Sequence, residues 1–145
     1  MKVNIFNETD YDINLKYYRY FLYFSSKTAG IKGDVNLVFC DDEYIKKLNN
    51  DFRNKDKATD VLTFPMGDAE EGGDIVISYE WVKTRYSEEK INKTILKLII
   101  HSVLHLIGIH HNYTRKSLMK NNEKMKELYS KVIMVIKENR DKKRL

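Results

Sequence analysis

Cysteine, proline and glycine are scarce in this sequence. Cys40 is the single cysteine and Pro65 the single proline among 145 residues, and there are six glycines. One cysteine excludes an internal disulfide and fits a reducing compartment. So few breakers leave no room for a long linker, and no internal repeat is visible. Long apolar runs are missing as well: none approaches the ~20 residues of a helical membrane span. The opening Met1-Lys2-Val3-Asn4-Ile5 is not followed by the apolar core of a signal peptide. These absences predict a soluble, cytoplasmic chain with no membrane partner.

Packing material is plentiful. Hydrophobic residues make up 42% of the chain, with ten Tyr, six Phe and one Trp. That is enough for one globular domain over residues 1–145. The net charge is +5, unevenly placed. Residues 112–145 hold 11 basic and 4 acidic side chains, a local +7, whereas residues 1–111 hold 15 basic and 17 acidic, a local −2. A Lys-rich end of this kind is ordinarily a solvated helix face. Beside a catalytic site it would also steer a polyanion.

Patterning gives the elements. Residues 2–7 alternate polar and apolar and read as a strand. Residues 14–27, rich in Leu, Phe and Tyr (Tyr17, Tyr18, Tyr20, Tyr23), read as a core-packing helix, with a strand as the alternative their aromatic content leaves open. Val35–Cys40 is an apolar, β-branched strand, and Asp41 is an N-cap for a short helix through Leu48. Residues 60–64 form a strand that stops at Pro65, residues 66–73 a loop, and Ile75–Ile77 another strand. Helices follow near 79–86, 90–108 and 114–139. The 90–108 helix is apolar almost all round and belongs in the core, ending at Gly108. The last helix carries an apolar stripe of Leu118, Met125, Leu128, Val132, Val135 and Ile136. The expected fold is α+β: a small mixed sheet of about four strands packed with about five helices.

All four histidines fall within eleven residues: His101, His105, His110 and His111. His101 and His105 are four apart on the buried helix, so both project from one face. Gly108 lets the chain turn back and bring a third histidine to them. His110 and His111 both follow that turn, and the spacing H-x-x-x-H-x-x-G-x-x-H favours His111. Three imidazoles leave a coordination position open, as in catalytic rather than structural zinc sites. Zinc suits such a set, with nickel or another transition metal as alternatives. Metzincin proteases use this spacing but need Glu directly after the first His. Here that residue is Ser102, which cannot serve as the base.

The segment His101-Ser-Val-Leu-His105-Leu-Ile-Gly108-Ile-His110-His111 resembles the signature H-G-x-L-H-L-x-G-Y-D-H of the YbeY family of single-strand-specific endoribonucleases. Ser102 stands where the family has Gly, and His110 where it has Asp. A second segment, Leu48 to Pro65, is similar to L-N-x-x-[YF]-R-x-K-D-x-P-T-D-V-L-S-F-P, departing at Ala58 and Thr63. A third, Gly73 to Ser78, resembles G-D-I-x-I-S.

The resemblance implies a metal-dependent endoribonuclease. Its substrate would be single-stranded ribosomal RNA, in 16S rRNA 3′-end maturation and ribosome quality control, with the small ribosomal subunit as partner. His101, His105 and His111 are then the metal ligands, with His101 and Arg53 catalytic. Arg53 would bind phosphate through its planar fork, and Lys55 and Lys57 would follow the RNA backbone. The ordinary reading of Arg53 is an ion pair with Asp51 or Asp56, and that of the lysines is solvation. Thr59 and Asp60 are expected to shape the strand start, with Asp60 accepting a hydrogen bond from a histidine as the lesser alternative, Ser102 to cap or bond back within its helix, and Cys40 to pack inertly. Two other functions fit the residues less well: a metallohydrolase of another substrate, and a non-catalytic ribosome assembly factor with a stabilising metal.

Overall fold

A computed structural model describes residues 1–109 and 115–144, with side chains through residue 140. The elements run β1 (Val3–Asn7), α1 (Leu15–Thr28), β2 (Val35–Cys40), α2 (Asp42–Arg53), β3 (Val61–Pro65), β4 (Gly73–Ser78), α3 (Tyr79–Arg85), α4 (Glu88–Leu106) and α5 (Arg115–Arg144). The four strands form one sheet in the order β1-β2-β4-β3. β1, β2 and β4 are parallel, and β3 is antiparallel to β4 at the edge. A parallel neighbour requires a crossover, and α1 supplies the one between β1 and β2. The α+β class and the mixed four-stranded sheet agree with the sequence reading.

Alternation along the strands divides the core. Val35, Leu37 and Phe39 of β2 and Ile75 and Ile77 of β4 face one side, where they join Leu22 of α1, Ile95, Ile99 and Val103 of α4, and Leu128 and Val132 of α5. Cys40, Leu62 and Val76 face the other side, where Ile45 of α2 packs on them. α4 and α2 therefore lie on opposite faces, and both reach the edge strand β3.

Several boundaries differ from expectation. α2 continues past Leu48 to Arg53, and Asn54 closes it in the left-handed region at φ 55°. Asn tolerates that conformation better than most residues. Asp41 caps the helix as expected, its carboxylate accepting the Tyr44 N–H at 2.8 Å. Pro65 pairs with Gly73 as the last residue of β3 rather than standing outside it. In α5 the buried stripe runs through Asn121, Leu128 and Val132, and Leu118 is exposed. The expected start at Thr114 lies outside the described residues. Tyr18 is buried against Phe39 at 5.6 Å, but Tyr17 is exposed, so the tyrosines of α1 are not all core.

Candidate active site

α4 brings two of the predicted ligands together. At 3.6 residues per turn, positions four apart are offset by only about 40° around the helix. The imidazole rings of His101 and His105 accordingly stand 4.4 Å apart, centroid to centroid. Both side chains are half-buried, and Nε2 of His105 is shut away from solvent. Nine residues of α4 are buried around them, so the pair sits on a helix that the core holds in place.

The helix end is built to turn. The Gly108 N–H donates to the His105 carbonyl at 3.0 Å and the Ile109 N–H to the Leu104 carbonyl at 2.9 Å. This is a Schellman closure, with Gly108 at φ 88° in the position that favours glycine. α4 thus ends at Leu106 rather than at Gly108 itself, but Gly108 redirects the chain as expected. His110 and His111 lie outside the described residues, and so does the third-ligand assignment. Among the described residues no third His, Cys, Asp or Glu joins the pair in a ligating group. Two imidazoles this close are a fitting donor pair for one divalent ion, at the ~2.0–2.1 Å Zn–N distances such ions adopt.

The predicted phosphate ligand comes from the other side of β3. Arg53 is exposed on the last turn of α2 and makes no hydrogen bond or ion pair among the described residues. The expected alternative, a pair with Asp51 or Asp56, is not formed: Asp56 instead lies 4.0 Å from Lys46. Lys55 and Lys57 follow in the turn, both exposed.

Two residues near this turn stand in the Leu48–Pro65 motif without an individual role assigned to them. Asn49 is buried, and its Nδ2 donates to the Lys57 carbonyl at 3.0 Å. Its own carbonyl accepts the Lys55 N–H at 3.3 Å. Asn49 therefore ties the cationic turn back to α2. Its signal in the sequence is its place after Leu48 in the L-N-x-x-[YF]-R motif. Phe52 is the second, 68% exposed, with its ring 5.3 Å from Phe64.

The remaining expectations fall into place around these groups. The Asp60 carbonyl accepts the Ser78 N–H at 2.8 Å, and Thr59 Oγ1 donates to the Asp60 carboxylate at 3.3 Å, so both shape the entry to β3. Ser102 is buried, its hydroxyl donating to the Leu98 carbonyl at 2.8 Å. Cys40 faces α2, on the side of the sheet away from α4, and burial with help from Asp41 and Asp42 pushes its thiol up to about 12. It is inert packing. No described helix is long and apolar enough to cross a membrane.

The fold thus presents a pair of converging imidazoles on a core helix of a mixed α+β sheet. Comparison with known proteins is more specific. The family described as Endoribonuclease YbeY matches residues 6–134, and the chain belongs to it. An Endoribonuclease YbeY from Nautilia profundicola is 47% identical over 83 residues, covering 54% of this chain and 59% of that protein. One from Karelsulcia muelleri is 35% identical over 113 residues, covering 73% of this chain and 79% of the relative. The solution structure of a Thermotoga maritima protein superposes with a TM-score of 0.59 at 28% identity, over 94% of this chain and 93% of that one.

Proposed function

We propose that this chain is a metal-dependent endoribonuclease that cuts single-stranded RNA, acting on ribosomal RNA in the cytoplasm. Within that reading its task is 16S rRNA 3′-end maturation and ribosome quality control, with the small ribosomal subunit as partner. The observation that carries it is the His101–His105 pair, 4.4 Å apart on α4, in a chain of an endoribonuclease family.

His101, His105 and His111 hold one divalent ion, zinc first, with nickel or another transition metal as alternatives. When bound, such an ion supplies Lewis-acid charge at the scissile phosphate and an activated water. The helix that carries His101 and His105 is locked by the core, so little reordering accompanies binding. Arg53 binds the phosphate: its guanidinium stays charged at all working pH and presents a planar fork to the oxygens. With no partner inside the described protein to release, it meets the substrate without breaking an ion pair. Lys55 and Lys57 follow the neighbouring phosphates, and the Lys-rich α5 adds steering. A protease-like reaction lacks its base, because Ser102 stands where a Glu is needed, and its hydroxyl bonds back to the Leu98 carbonyl.

Arg53→Glu tests the reading. The variant keeps its fold and its metal, and cleavage of a single-stranded RNA falls on the order of 100-fold, as when one charge-stabilising donor is removed. Cleavage equal to the unmodified chain removes Arg53 from the mechanism. The same RNA annealed into a duplex is expected to be resistant.

A further inference from the structure

Phe52 stands on the last turn of α2 with 68% of its surface exposed, directly before Arg53. A lone exposed phenylalanine ordinarily carries no message. Three observations set this one apart. Its ring is oriented by an edge contact with Phe64, at 5.3 Å and 64°, yet remains mostly open. A second large apolar side chain, Met66, is 66% exposed just past the end of β3. Finally, Arg53, Lys55 and Lys57 follow it, exposed and without an ion pair among the described residues, while of the nearby acids Asp56 lies beside Lys46 at 4.0 Å.

An oriented, open aromatic ring beside unpaired cations matches the chemistry of a nucleotide: a base with a π-face joined to a phosphate. We propose that Phe52 is a stacking platform for one base of single-stranded RNA, adjacent to the phosphate held by Arg53; this rests on the endoribonuclease reading above. Every base has a π-face, so the contact tolerates sequence. A duplex hides its base faces in the stack, so the contact also discriminates against paired RNA. Asn54 in the left-handed region and the Asn49–Lys57 hydrogen bond fasten the backbone of the turn that carries the ring and the cations.

Steady-state cleavage of a short single-stranded RNA by Phe52→Ala, Phe52→Leu and Phe52→Tyr tests this. Phe52→Leu keeps apolar packing on Phe64 while losing the π-face, which guards against a folding artefact in Phe52→Ala. Both should raise KM roughly 5- to 150-fold, the range for losing one base–aromatic stack, with kcat little changed. Phe52→Tyr should restore KM. An abasic nucleotide moved along the RNA should, at one position, weaken the unmodified chain by that same factor and Phe52→Leu not at all. The salt dependence of KM should stay as steep in Phe52→Leu, because no phosphate contact is lost. An unchanged KM in Phe52→Leu, or equal losses for both proteins at every abasic position, overturns the platform while leaving the endoribonuclease reading intact. Failure of the unmodified chain to cleave any single-stranded RNA overturns both.

Discussion

α4 and α2 both reach the edge strand β3, from opposite faces of the sheet, and they are held in opposite ways. Nine of the nineteen residues of α4 are buried, whereas only Ile45 and Asn49 of the twelve in α2 are. α4 offers two imidazoles from within the core, and α2 offers Arg53 and Phe52 from a turn open to solvent. The contrast follows the chemistry each is proposed to serve. Metal ligands have to be preorganised at ångström precision, and core packing provides that. A group that meets a polymeric substrate has to be reachable, so it sits on a helix end fastened at one or two points.

Substitutions should separate the two modes of support. Ile99→Ala, in the fully buried face of α4, should cost about 2–5 kcal/mol of stability by leaving a cavity, and should weaken metal uptake because the histidines ride on the same helix. Denaturant unfolding alongside metal titration checks both, and unaltered metal affinity would break the link between core and ligands. Gly108→Ala introduces a Cβ that meets nothing within 4 Å, so its cost comes from the backbone at φ 88°. It should amount to about 1–2 kcal/mol and should also weaken metal binding, since it disturbs the turn that follows His105. Asn49→Ala should cost about 1 kcal/mol by removing the bond to Lys57. Metal content should be unchanged and KM for RNA should rise, because only the cationic turn loosens. A fall in metal content instead would show that the two helices are not independently supported.

The sequence made the α4 side easier to read than the α2 side. A near-continuous apolar helix interrupted by His at a four-residue spacing has few interpretations, and Gly108 marks its end. The strand Val35–Cys40 and the cap at Asp41 were legible for the same reason: each rests on local chemistry. α2 runs past the expected end at Leu48 although Asn49-Asn50-Asp51 are weak helix formers. In the structure Asn49 is buried and bonded, and Asn54 supplies the left-handed closure, so tertiary contacts carry the helix a further turn. That extra turn places Phe52 and Arg53 on a helix rather than in a loop. Phe52 fills the aromatic position of the L-N-x-x-[YF]-R motif, but a sequence does not distinguish an exposed aromatic from a core one. Leu118 shows the converse: it suited the apolar stripe of α5, but the helix turns Asn121 inward instead.

The central claim is that the histidines of α4 hold a working metal. Its most direct test is the metal content of the chain, purified without a histidine tag and measured by elemental mass spectrometry beside a His101→Ala/His105→Ala variant of unchanged fold. The account predicts about one equivalent of zinc or a related ion in the unmodified chain, and a loss of nearly all of it in the variant. No metal in the unmodified chain, with none taken up when zinc is supplied, would contradict it.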